Sequence, residues 1–183
     1  MAEIIVETAR LQLRTWDAAD AAPFMAALNT PAVMRWLGGV GDEGSYQRMV
    51  EKFQACQQDH GYCFWIVERR DDNRLLGLCG LYVTEMTGEP VDGLTEIGWR
   101  LREDAWGYGY AREAAEAALT HGFADLQLET IYAYTVPANA ASWGLMQRLG
   151  MSRARALDYV NQHVEPGLQQ HIVYKITRGE WTT

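Results

Sequence analysis

The sequence predicts a mixed α+β fold: a twisted, mostly antiparallel sheet of about seven strands flanked by about four helices. Short segments rich in apolar, β-branched and aromatic residues recur along the chain, separated by segments with apolar residues at helical spacing. Their order is strand, two helices, three strands, then helix, strand, helix and two strands. Successive strands with short connections pair antiparallel, whereas a strand–helix–strand unit crosses over to pair in parallel. The sheet is therefore mixed, with helices on both faces.

Leu11-Gln12-Leu13-Arg14 alternates apolar and polar residues and reads as the first strand. Asp17 is typed as an N-cap for a helix with Phe24, Met25 and Leu28 on one face, and Asn29-Thr30-Pro31 breaks it. Residues 43–59 form a second, polar-faced helix ending near His60-Gly61. Tyr62 to Glu68 and the nearly continuous apolar run Leu75 to Val83 are strands joined by the turn Arg70-Asp71-Asp72-Asn73. A Gly-, Pro- and Asp-containing loop at residues 84–93 leads to the strand Leu94 to Leu101. Residues 107–125 are Ala-rich, with Ala111, Ala114, Ala115, Ala118 and Phe123 at helical spacing, and small side chains let such a helix lie close on a sheet. Thr130 to Val136 is a strand, Ala140 to Leu149 a short helix, and residues 152–160 and 170–177 the final strands. Neither repeats nor a linker divide the chain, so residues 1–183 read as one domain.

With 24 acidic against 16 basic side chains, the net charge of -8 argues against a nucleic-acid binder, which needs clustered Lys and Arg. A small anionic ligand held by backbone N–H groups is still compatible with that charge. Cys56, Cys63 and Cys79 cannot all pair and show no C-x-x-C spacing, so they read as buried free thiols. His60, His121, His163 and His171 form no metal-binding motif, and no metal is expected. Acids near the N-terminus do not fit a signal peptide, and no apolar stretch approaches the ~20 residues of a membrane span. A cytoplasmic protein without a membrane partner is expected.

Two segments carry chemistry. In the first, the strand Glu96-Ile97-Gly98-Trp99-Arg100-Leu101 runs into Trp106-Gly107-Tyr108-Gly109-Tyr110-Ala111-Arg112, a glycine-containing turn that opens a helix. The first N–H groups of a helix have no partner within it and stand at the positive end of its dipole. Such a turn suits a phosphate or pyrophosphate, and glycine lets the ligand approach the backbone. The third glycine of a dinucleotide fingerprint and the Gly-Lys-Ser/Thr of a P-loop are both missing. Alone, this segment reads equally as a plain helix start. In the second segment Asn139 is typed as an N-cap, Ser142 falls on the first helical turn and Gly150 ends the helix. Alone, it reads as a capped helix.

Together the two segments resemble the GCN5-related N-acetyltransferase (GNAT) family. Trp106-Gly107-Tyr108-Gly109-Tyr110-Ala111 is similar to the family's Arg/Gln-x-x-Gly-x-Gly/Ala loop, and Asn139-x-x-Ser142 with Leu149-Gly150-Met151 to its second block. Thr8-Ala9-Arg10-Leu11-Gln12-Leu13-Arg14 and Pro31-Ala32-Val33-Met34-Arg35-Trp36-Leu37-Gly38 resemble the opening of the branch that acetylates ribosomal-protein N-termini. The resemblance spans roughly residues 8–178 and implies a three-layer fold with acetyl-CoA as cosubstrate.

The resemblance also implies roles. Residues 106–112 would cradle the pyrophosphate, the backbone of Trp99 and Leu101 would bond the pantetheine arm, and Asn139 and Met146 would border it. A backbone N–H near Gly98 or Trp99 would serve as oxyanion donor. Glu96 stands at the branch's Glu-x-Gly position and would be the general base; alone it reads as a solvated strand carboxylate. Trp106 replaces the usual Arg or Gln, and Met146 replaces the tyrosine that many relatives use as general acid. Ser142 is then the candidate to protonate the departing sulfur, although it could equally satisfy a backbone N–H. The acceptor expected is a primary amine: a protein N-terminus, a polyamine or an aminoglycoside-like molecule. A non-catalytic acyl-CoA sensor is the alternative, and monomer and homodimer both stay open.

Overall fold

The computed structural model describes residues 2–182. Alternation in Leu11–Arg14 (β2) sends Leu11 and Leu13 fully into the core, and the strand pairs antiparallel with Phe64–Arg69 (β3). β3 turns back into Arg74–Val83 (β4), and residues 77–83 of β4 pair antiparallel with the whole of Thr95–Leu101 (β5). Beyond β5 the chain crosses over through the helix Tyr110–Ala124 to Thr130–Thr135 (β6), which lies parallel to β5. The last long strand, Gln170–Thr177 (β9), is antiparallel to β6. With the short strands Ile4–Glu7 (β1), Ser152–Arg153 (β7) and Tyr159–Val160 (β8), the sheet has nine strands in the order β1-β2-β3-β4-β5-β6-β9-β7, with β8 also on β9.

The helices are α1 (Ala21–Leu28), α2 (Pro31–Met34), α3 (Glu43–His60), α4 (Tyr110–Ala124) and α5 (Ala140–Arg148). Ala114, Ala115 and Ala118 are wholly buried where α4 packs on one face of the sheet. On the opposite face the aromatic rings of Trp16, Phe24, Phe53 and Phe64 interlock beneath α1 and α3. All three cysteines are buried and unpaired. No helix among the described residues is long and apolar enough to cross a membrane.

Three features depart from the sequence expectation. Ile4–Glu7 forms an additional edge strand, β1, whose apolar run lacks alternation and whose conformation comes from pairing with β2. Asn29-Thr30-Pro31 ends α1 and also starts α2: the Thr30 hydroxyl accepts from Val33 N–H, and Pro31 takes a first-turn position where its missing N–H is harmless. Residues 152–160 do not form one strand. They divide into Ser152–Arg153 (β7), a 3₁₀ turn at Arg155–Leu157 and Tyr159–Val160 (β8). The Asp158 carboxylate accepts the Val173 N–H at 2.9 Å, and Val173 C=O accepts from Ala154 N–H at 2.8 Å, which holds the turn against β9.

Candidate active site

β5 and β6 touch only briefly. Their ladder includes a single aligned pair, Glu96 with Tyr132, and from Ile97 onward the strands diverge. Arg102 N–H bonds to Leu76 C=O, so even-numbered residues of β5 direct their backbone groups to β4. Trp99 and Leu101 therefore direct theirs into the wedge left by β6. Trp106 uses this edge: its indole N–H donates to Leu101 C=O at 2.8 Å, leaving the rest of the side chain about half exposed.

The wedge opens into a cleft of about 840 Å³. Gly107 and Gly109, each with φ of 83°, turn the chain from β5 into α4, a conformation that side chains with Cβ rarely adopt. Glu113 N–H closes the first helical turn on Gly109 C=O, while Tyr110, Ala111 and Arg112 contribute the unpaired first-turn N–H groups and border the cleft. Tyr108 points outward, 64% exposed, and stacks on Tyr110. Arg112 pairs with Glu116 one turn along α4.

From the other side α5 presents Ser142 and Met146 to the cleft. Asn139 caps α5 by accepting from Ser142 N–H, and its amide donates to Thr135 Oγ1 at 3.1 Å. The Ser142 hydroxyl makes no hydrogen bond to the described residues and is free for a ligand. Met146 is almost wholly buried and forms an apolar wall.

Glu96 sits at the apex where β5 and β6 part, deep in the fold yet reached from the cleft. Burial pushes its carboxyl up to about 7, and the Tyr134 hydroxyl opposes that rise by donating to Oε1 at 2.8 Å. Tyr134 is itself raised well above the ordinary phenol range, by burial first and then by the neighbouring carboxylate. His171 borders the same cleft, stacked on Tyr159 with ring centroids 4.7 Å apart. Burial lowers its pKa, so the ring is neutral near pH 7. With Nδ1 facing Gln169 C=O at 3.0 Å, that nitrogen carries the proton and Nε2 is left as an acceptor. Tyr134 and His171 escaped the sequence reading. Alternation in β6 does place Tyr134 on the same face as Tyr132, which would have marked it once Glu96 was paired with Tyr132.

Residues 10–152 match the profile of the acetyltransferase (GNAT) domain. The chain belongs to the GNAT family. Like other members, it is an acetyltransferase by descent. The uncharacterized N-acetyltransferase YoaA of Bacillus subtilis (strain 168) is 30% identical over 165 residues, covering 88% of this chain and 91% of that protein. A GNAT acetyltransferase from Bacillus anthracis superposes with a TM-score of 0.75 at 27% identity, covering 98% of this chain and 100% of that one. A ribosomal-protein-S5-alanine acetyltransferase from Vibrio fischeri shares the fold at a TM-score of 0.75 and 14% identity, with both chains fully covered. This GNAT chain thus has the predicted mixed, mostly antiparallel sheet, and the structure gathers Glu96, Ser142, Trp99, Leu101, Trp106, Gly107, Gly109, Tyr110, Ala111, Arg112, Asn139 and Met146 around one cleft.

Proposed function

We propose that the protein is an acetyl-CoA-dependent N-acetyltransferase that moves the acetyl group directly onto a primary amine. The observation that carries this reading is the Glu96 carboxyl, raised to about 7 at the apex of a cleft that also holds a free serine hydroxyl and a helix N-terminus. The part of the β5 edge that neither β6 nor the Trp106 indole takes, at Trp99, and the N–H groups of Tyr110, Ala111 and Arg112 fit the pantetheine and pyrophosphate of acetyl-CoA. When bound, that molecule supplies an activated acyl thioester. No metal-binding cluster occurs among the described residues.

An alkyl ammonium must lose a proton before it can attack, and Glu96 is the base poised to take it, at a pKa suited to neutral pH. Tyr134 is the positioning residue: its hydroxyl fixes one oxygen of the Glu96 carboxylate, and Thr84 is a second hydroxyl beside that group. Of the two expected oxyanion donors, Trp99 N–H is the one directed into the wedge, since the Gly98 backbone groups belong to the ladder with β4. Ser142 can deliver a proton to the leaving sulfur, a role Met146 cannot fill. As the tetrahedral intermediate collapses the C–S bond breaks, the second amine proton passes through the Ser142 hydroxyl to the departing sulfur, and Glu96 gives the first to solvent, so the products are an amide, a free thiol and one proton.

Thiol release from acetyl-CoA across a panel of primary amines tests the proposal. Amine-dependent release with the matching N-acetyl product supports it. Tight cofactor binding without turnover of any amine would instead support an acyl-CoA sensor.

A further inference from the structure

We infer that the acceptor carries a carboxylate joined to its amine by an uncharged spacer, and that Arg100 receives this carboxylate. The inference rests on the N-acetyltransferase reading and names a substrate class for it. Arg100 lies on β5, four residues beyond Glu96 and on the same face, so the two Cα positions are about 13 Å apart along the strand. Arg100 is among the residues that border the cleft, and its guanidinium stands 5.4 Å from the centre of the Phe24 ring and touches Met34 Sδ and Met49 Sδ at 3.3 and 3.4 Å. Thioether sulfurs are weak acceptors, the Tyr46 hydroxyl beside it is an uncharged partner, and no carboxylate among the described residues lies within ion-pair distance of Arg100.

Arg14 provides an internal comparison. It too is drawn into the protein, but two carboxylates receive it, Asp20 at 2.7 Å and Glu68 at 2.6 Å. Even exposed arginines such as Arg10, Arg70 and Arg112 face an acid. An enclosed guanidinium stays protonated, and without a partner its charge is costly to hold out of water. Arg100 therefore has its strongest fork of donors reserved for something outside the chain. The fork's planar geometry suits a carboxylate, bound through two parallel N–H···O contacts.

Charge in the cleft agrees. Arg35, Arg100, Arg112 and Arg148 border it against a single carboxylate, Glu96, although the chain as a whole carries -8. Arg112 lies in the first turn of α4, the helix start suited to phosphates, and Arg148 at the end of α5, whereas Arg100 lies beneath α1, α2 and α3. Between Glu96 and Arg100 the floor is Gly98, Phe64 and Leu78, none with a polar side chain. Phe64 lies so close over Gly98 that a Cβ there would come within 2.8 Å of its ring. An amine held at Glu96 and an anion held at Arg100 are thus separated by a strip that accepts only an uncharged segment. A polyamine or aminoglycoside would bring cations onto Arg100.

The test uses the full chain, saturating acetyl-CoA and acceptors in matched pairs: ω-amino acids of increasing length and short peptides, each against its terminal amide. The free acids should be acetylated with at least a roughly tenfold higher kcat/KM than the amides. In Arg100→Gln this gap should close through KM for the acids, and Arg100→Lys should restore it in part. Equal turnover of acid and amide by the unaltered protein would overturn the inference even if the variants fail to fold, while leaving the acetyltransferase reading intact. If no amine of either kind releases thiol although acetyl-CoA binds, both readings fall together. Whether peptides or free amino acids show the larger gap identifies the source of the carboxylate, and either result supports the inference.

Discussion

Glu96 has two opposed consequences. Its carboxyl titrates at about 7 in the folded protein against an ordinary value of 4.5. Between those values the folded state holds a proton that the unfolded state has lost, so stability falls as pH rises through this window. Glu96→Gln removes the titration and keeps an acceptor for the Tyr134 hydroxyl. Above pH 7 the variant should be more stable than the parent by up to about 3 kcal/mol in denaturant unfolding, and equally stable near pH 4. The same variant should lose about 10²- to 10⁴-fold in kcat. A variant that keeps full rate and an unchanged pH profile would remove Glu96 as the base. Tyr134→Phe deletes the bond that favours the ionised carboxylate, so the rise of rate with pH should move to higher pH. An unmoved profile would mean that Tyr134 acts without Glu96. Of this cluster only Glu96 was legible in the sequence, through the Glu-x-Gly spacing. Tyr134 and His171 belong to strands remote in sequence, and only the pairing of β6 with β9 brings them to the same face.

At the scale of elements, legibility followed how much of each element's reason lies within its own residues. The β3–β4 hairpin carries its own turn, α3 its Asp42 cap, and α4 its alanine face, and all three stand where the pattern put them. β1 and the divided segment at 152–160 take their form from β2 and β9, so their own residues do not announce it. The start of α4 makes a testable case of a locally specified site. Gly109→Ala must hold a Cβ at φ of 83°, costing about 1–2 kcal/mol, and the first-turn N–H groups shift with it. Acetyl-CoA affinity, read by calorimetry, should drop about tenfold, and the unfolding midpoint should fall by the roughly 2–8 °C that this cost implies. Gly122, in the same helix, makes the opposite case. A Cβ there would come within 2.8 Å of Leu81 Cδ1 and 2.9 Å of Ile131 Cδ1. Gly122→Ala should therefore cost about 1–3 kcal/mol in stability through overpacking, and leave acetyl-CoA affinity near that of the parent.

For the molecule as a whole, the charge of -8 and the basic cleft act over different distances. Far from the protein a polyanionic cofactor meets the net negative field, and only inside the cleft do the arginines and helix N-terminus dominate. Salt separates the two. The screening length falls from about 30 Å at about 0.01 M to about 8 Å at physiological ionic strength, which removes the long-range repulsion and leaves partly buried contacts largely intact. The association rate constant of acetyl-CoA should therefore rise severalfold over that range, while its dissociation rate changes little. Stopped-flow binding at several salt concentrations reads both constants directly. An association rate that falls with salt would mean that the cleft's positive field reaches solvent and steers the cofactor in, and the net charge would then have no part in recognition. A carboxylate-bearing acceptor would meet the same outer field and the same inner guanidinium at Arg100, so its kcat/KM should rise with salt in parallel.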